Sequence, residues 1–211
     1  ASDGYRVEAS TTSNFSTTRL SSSTNNAALL VLSPQGLLPN TTYFLRAGAV
    51  WGDYFAAVNT VPASTSTLAA QPAPAIPVFG AVDVTSMTLQ WQVNGNPVDV
   101  TTYTVVLSTG ASYPNDFDGN IVYSTAPMGV QPALTLSGLA PNTTYFAFAS
   151  AMNWNGVPTG YAILGSTATL AADPLTAVST FTGVATSTLS VIWSANGNPL
   201  SVTTYTVQLS T

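Results

Sequence analysis

The chain repeats itself at an interval of 102 residues, and this period limits its fold more than any other feature. Met87-Thr88-Leu89-Gln90-Trp91 returns as Leu189-Ser190-Val191-Ile192-Trp193, and Pro39-Asn40-Thr41-Thr42-Tyr43 returns as Pro141-Asn142-Thr143-Thr144-Tyr145. Asn94-Gly95-Asn96-Pro97 comes back unchanged as Asn196-Gly197-Asn198-Pro199. Solenoid repeats run to roughly 20–50 residues, so a period of this size is a whole small domain. The 211 residues then hold about two domain-equivalents. Both ends of the sequence fall inside a repeat. A half domain exposes an apolar face and unpaired strand edges. The expectation is therefore an end-to-end string, completed by more of the same polypeptide or by a neighbouring chain.

Within each repeat the pattern is strand-like. Met87, Leu89, Trp91 and Val93 alternate with Thr88, Gln90 and Gln92, and Tyr103, Val105 and Leu107 alternate with Thr104, Val106 and Ser108. Period two with one apolar face marks a half-buried strand of an antiparallel sheet. Turn residues punctuate these runs at Asn94-Gly95-Asn96-Pro97, Pro114-Asn115, Asp118-Gly119, Ser137-Gly138, Pro141-Asn142 and Asn155-Gly156. No convincing helical stretch is present, so the predicted fold is an all-β antiparallel β-sandwich. Leu68-Ala69-Ala70-Gln71-Pro72 matches Leu170-Ala171-Ala172-Asp173-Pro174 at the same offset. Such Pro-containing segments are stiff and poor at sheet pairing, which suits domain junctions. The predicted division is a partial domain over 1–72, a complete one over 73–172 and a second partial one over 173–211.

Composition removes several functions. Only 5% of residues are charged and the formal charge is −5, with Arg6, Arg19 and Arg46 as the sole cations. Nucleic acid and anionic lipid are thus excluded as partners on electrostatic grounds. No apolar run approaches the roughly 18 residues of a membrane span, and no signal peptide is visible. Without His, Cys or Lys there is no Ser-His, Cys-His or Ser-Lys nucleophile and no Schiff base. The eight carboxylates, Asp3, Glu8, Asp53, Asp83, Asp99, Asp116, Asp118 and Asp173, are scattered, so no facing acid pair is predicted. Neither an active site nor a cofactor is expected.

Leu37-Leu38-Pro39-Asn40-Thr41-Thr42-Tyr43 and Leu139-Ala140-Pro141-Asn142-Thr143-Thr144-Tyr145 both fit the Leu-x-Pro-x-Thr-x-Tyr pattern of fibronectin type III domains. Trp91 and Trp193 sit where that family has its strand B core Trp. Tyr103-Thr104-Val105, Tyr205-Thr206-Val207 and Tyr5-Arg6-Val7 resemble its strand C Tyr-x-Val. The chain thus resembles tandem fibronectin type III domains, as in bacterial extracellular repeat proteins. The resemblance implies that Tyr43 and Tyr145 are tyrosine corners, with the hydroxyl returning to upstream backbone. It also implies strands C to G in 1–72 and strands A to C in 173–211, with Trp91, Trp193, Tyr43 and Tyr145 as core residues. Departures are the Ser/Thr/Asn-rich stretch 10–26 and the low charge; between the copies, the step from Tyr5 to Tyr103 is shorter than the period, which implies a loop about four residues longer in the second copy, near 111–120.

Three features are candidate sites. Asp116, Asp118 and Asn120, with Gly119 between, offer hard oxygen ligands for Ca²⁺, but the bidentate acid of a full loop is missing and an ordinary polar hairpin explains the run. Asn14, Asn40 and Asn142 open glycosylation sequons, although an Asn at the last two is also an ordinary turn residue of the corner motif. O-linked sugar is a further candidate on Ser and Thr of 10–24. Trp51, Tyr54, Trp154 and Tyr161 fall on or near the F–G hairpins, where they serve packing or stack on sugars. The expected function is a non-enzymatic extracellular or cell-surface fibre built from copies of itself or adjoining repeats, with glycan as an outer coat. The second reading is a spacer or carbohydrate-associated module of a larger secreted enzyme or adhesin.

Overall fold

The structure, a computed structural model, describes residues 3–17, 19–113, 121–126 and 132–210. Asp116, Asp118 and Asn120 lie outside them. The first sheet contains β1 (Gly4–Ser10), β2 (Arg19–Thr24), β3 (Thr42–Trp51) and β4 (Tyr54–Ser66), in the order β2-β1-β3-β4. Next come β5 (Ala73–Val82), β6 (Ser86–Gln92), β7 (Thr102–Ser108), β8 (Ile121–Ala126), β9 (Ala133–Ser137), β10 (Thr144–Met152) and β11 (Ala162–Ala168). They form two sheets, β5-β6-β9 and β11-β10-β7-β8. The last pair is β12 (Leu175–Thr182) with β13 (Ser190–Ser194). Every pairing between these strands is antiparallel. No helix occurs among the described residues. The protein is all-β, with a fibronectin type III-like sandwich at its centre.

The alternation in the sequence becomes the two faces of that sandwich. Met87, Leu89 and Trp91 on β6 meet Tyr103, Val105 and Leu107 on β7 and Tyr145, Ala147, Ala149 and Ala151 on β10 in one buried cluster. Three of the four inward positions of β10 are Ala, leaving volume for the Trp91 and Tyr103 rings, whose centroids lie 5.4 Å apart. The first sheet repeats the register of its central counterpart: Ser10 faces Phe44 as Ser108 faces Phe146. The four-residue difference falls between the paired ends of β7 and β8, where Ser108 faces Ile121 but Ser10 faces Arg19.

Both corner tyrosines are buried, and each hydroxyl oxygen accepts a backbone N–H five residues upstream. Leu38 N donates to Tyr43 Oη at 3.0 Å, and Ala140 N donates to Tyr145 Oη at 3.0 Å. Replacing Tyr145 by Phe strands the Ala140 N–H at the edge of the core. The expected loss is about 1–2 kcal/mol, read as a lower thermal midpoint by roughly 4–8 °C per kcal/mol for a domain of this size.

Two residue sets of the partial repeat differ from their central counterparts for one reason. Trp193, expected in the core, is 37% exposed, whereas its counterpart Trp91 is 2% exposed. Tyr205-Thr206-Val207 belongs to no strand, although the same residues of the central repeat lie in β7. β7 exists because β8 and β10 supply its ladder, and Trp91 is buried because that sheet faces it. Among the described residues no counterpart of β8 or β10 stands beside 202–210, and no second sheet faces β13. Likewise 31–35, which matches β9 at the repeat offset, runs outside any strand with Val31 76% exposed. β9 takes its ladder from β6, and among the described residues no equivalent of β6 adjoins the first sheet.

Candidate functional site

The repeated motifs converge on the junctions between repeats. Asn40 and Asn142 both sit at φ 44°, in the left-handed region that Asn enters more readily than most residues. That bend turns each side chain across the junction. Asn40 Nδ2 donates to Thr101 Oγ1 at 2.8 Å, and Thr101 Oγ1 donates onward to Pro97 O at 2.6 Å. One period later Asn142 Nδ2 donates to Thr203 Oγ1 at 2.8 Å, and Thr203 Oγ1 to Pro199 O at 2.7 Å.

The invariant Asn-Gly-Asn-Pro segment closes the other side. Asn96 pairs with the linker backbone through both amide atoms, accepting from Ala70 N at 2.8 Å and donating to Ala70 O at 2.7 Å. Asn198 does the same with Ala172 at 2.8 and 2.7 Å. Asn94 Nδ2 donates to Gln71 O at 3.0 Å, and Asn196 Nδ2 to Asp173 O at 2.8 Å. The turn itself has both central residues left-handed, φ 53° and 83° at Asn94-Gly95 and 52° and 81° at Asn196-Gly197. That is the Asn-Gly preference of a type I′ turn. Its tip rests on the preceding corner: a Cβ on Gly95 would stand 3.5 Å from Pro39 Cγ, and one on Gly197 would stand 3.4 Å from Pro141 Cγ. The two junctions are thus built from the same residues in the same geometry.

The first junction carries a further set of bonds from the β10–β11 hairpin. Trp154 N donates to Asn40 Oδ1 at 2.7 Å, Asn153 Nδ2 to Thr67 O at 3.0 Å, and Asn155 Nδ2 to Thr65 Oγ1 at 3.2 Å. Gln71 Nε2 donates back to Gly160 O at 3.2 Å. Asn153 is itself buried and fixed, since its Oδ1 accepts Val157 N at 2.8 Å. In the sequence Asn40 and Asn142 read as turn residues or sugar acceptors, and their part in the clamp does not show there. The unchanged return of Asn-Gly-Asn-Pro was the signal for it.

The sequons divide accordingly. Asn40 is 1% exposed with both amide atoms engaged, which removes it from the glycosylation candidates of the folded chain. Asn142 is half-buried and holds Thr203. Asn14 is exposed on the loop after β1, with its Oδ1 accepting only the local Ser16 N–H at 3.0 Å. Peptide mapping of glycosylated material is expected to place N-linked sugar on Asn14 and none on Asn40. Sugar found on Asn40 would mean that the first junction opens.

No group of three or more potential metal-ligating acids occurs among the described residues. The charged side chains that do meet are Glu8, Arg6 and Arg46. The Arg46 guanidinium donates to Glu8 Oε2 at 2.8 and 2.6 Å, and Arg6 lies 3.8 Å from Glu8 Oε1. Arg46 also covers the Phe15 ring at 4.2 Å. In the central sandwich Val106, Phe148 and Tyr113 stand in place of Glu8, Arg46 and Phe15, with the Phe148 and Tyr113 ring centroids 5.7 Å apart, and Thr104 in place of Arg6. A charged plug and an apolar one thus fill the same outer-face position.

Among the hairpin aromatics, Trp51 and Tyr54 lie 6.3 Å apart, Tyr161 meets Tyr113 edge-on at 4.9 Å, and Trp154 is 59% exposed. Deeper in, Trp91 Nε1 is buried with no hydrogen-bond partner among the described residues, and Tyr103 Oη is buried beside Asn96 and Thr101, outside good hydrogen-bond geometry with either. Burial pushes the Tyr103 hydroxyl pKa above its ordinary value. The unfolded chain therefore releases this proton first, so stability falls as pH rises through the ordinary tyrosine range near 10.

No protein-family model matches the chain. No curated protein matches it either. Among solved structures it is similar to the crystal structure of chicken CNTN1 FN1-FN3 domains, at 17% identity with a TM-score of 0.33. The match covers 79% of this chain and 56% of that one, so the chain spans little more than half of that structure's length.

Proposed function

We propose that the chain is a non-enzymatic structural protein of the tandem fibronectin type III kind, one segment of an extracellular or cell-surface filament. The observation that carries this reading is the repeated junction. Asn40 with Thr101 and Asn142 with Thr203 make the same bond at the same distance, 102 residues apart. An identical contact between successive units applies the same rotation and translation at each step, which generates a linear or helical string of constant pitch. The partners are adjoining repeats of the same polypeptide or further copies of it. A surface with few charges and many hydroxyls presents a low electrostatic barrier to lateral packing, with sugar on Asn14 as an outer coat.

Negative-stain microscopy of the native material tests the reading. Long filaments with an axial repeat set by the 102-residue unit are expected. Discrete particles would instead favour the spacer or carbohydrate-associated module of a larger secreted enzyme or adhesin. The intact mass of the native chain separates the two filament routes, since a mass near 21.7 kDa requires separate subunits to join end to end.

A further inference from the structure

We propose that the groove at the first junction is a binding site for a neutral oligosaccharide, with the Trp154 indole as its stacking platform. The groove is an open one of about 350 Å³ between the two repeats, bordered by Asn40, Thr41, Thr42, Pro97, Asp99, Val100 and Trp154. That volume lies within the range of small-molecule sites, about 300–1,000 Å³, and boundaries between domains are where such sites concentrate.

Three features select the ligand class. The indole is 59% exposed, yet the backbone that carries it is held from both sides. Trp154 N is bonded to Asn40 Oδ1, and its neighbours Asn153 and Asn155 are bonded to Thr67 and Thr65. Little ordering entropy remains to be lost when a ligand lies on that ring. Around it stand the Thr41 and Thr42 hydroxyls and one exposed carboxylate, Asp99, without a cationic side chain, the Asn40 amide being already engaged in the clamp. Such a lining repels anions and offers acceptors and donors to a polyhydroxylated ring whose C–H face covers the indole. A single aromatic wall with hydroxyls beside it is too open for an ammonium ion, which aromatic cages enclose on several sides.

The hairpin of the first sheet does not share the platform. At the repeat offset Trp154 corresponds to Gly52, and Asn153 and Asn155 correspond to Trp51 and Asp53. The hairpin of the first sheet therefore has neither the platform nor the two amides that fix it. The site is independent of whether the chain assembles into filaments.

Titration of the purified chain with cellohexaose, maltohexaose and chitohexaose, followed by the indole N–H resonances in ¹H–¹⁵N spectra, tests the proposal. The Trp154 signal is assigned by its disappearance in Trp154→Phe. At least one oligosaccharide is expected to shift that signal saturably while the Trp91 signal stays in place. Trp154→Ala is expected to weaken binding at least tenfold with an unchanged thermal midpoint, because the clamp uses the Trp154 backbone and not its ring. Asp99→Asn, at an exposed position, should weaken binding with the fold intact. No response to any of the three sugars, or undiminished binding by Trp154→Ala, would overturn the proposal. So would saturable binding of tetramethylammonium with no sugar response, since that identifies a cation site.

Discussion

Trp91→Ala is expected to cost the central sandwich about 3–5 kcal/mol, a large share of the 5–15 kcal/mol that holds a typical domain folded. Trp91 is 2% exposed, stacks on Tyr103 at 5.4 Å and sits among residues from both sheets. Its removal leaves a cavity that the rigid β7 and β10 ladders cannot collapse. Chemical denaturation followed by far-ultraviolet circular dichroism reads the loss directly. The same substitution at Trp193, 37% exposed with the Tyr205 ring 5.5 Å away, is expected to cost much less in the isolated chain. If the proposed filament forms, the two costs should converge, since a neighbouring sheet would then cover β13. Equal losses in the dilute, unassembled chain would contradict the exposed setting of Trp193.

Asn40→Ala is expected to release the first junction while leaving both sheets beside it folded. It removes the bonds to Thr101 Oγ1 at 2.8 Å and to Val100 O at 3.4 Å, and it leaves the Trp154 N–H without its acceptor at 2.7 Å. At roughly 1 kcal/mol per bond, with an added cost for Ala at a left-handed φ, the total is about 2–4 kcal/mol. Small-angle X-ray scattering should show a broader distribution of end-to-end distances, with an unchanged circular dichroism spectrum. A double-mutant cycle with Thr101→Val isolates the pairwise part of the clamp. If the scattering profile stays that of the wild type, the clamp does not set the pitch, and the filament reading loses its support.

The fold was legible because its signals are local. Alternation on β6 and β7, Asn-Gly at the turns and the paired corner motifs are each consequences of backbone and side-chain preferences within a few residues. The junction was legible only in part. The return of Asn-Gly-Asn-Pro was visible, but its partners were not, because Asn40 and Thr101 are 61 residues apart. The plug of Glu8, Arg6 and Arg46 was hidden for a related reason. Its two arginines come from β1 and β3, and only the β1–β3 register, with Glu8 opposite Arg46, brings them together.

Sequence alone determined the period, the strand class and the absence of His, Cys and Lys, since each is a property of residue identity and short spacing, while the corner tyrosines followed from the family resemblance. Tertiary structure decided which identical residues have identical surroundings. Trp91 and Trp193 share a motif, yet one is enclosed and the other open, because burial is conferred by the sheet that faces a residue. Tertiary structure also made Asn40 a clamp instead of an accessible sequon. A side chain's hydrogen-bonding capacity is fixed by its chemistry, but the groups that satisfy it arrive from the next repeat.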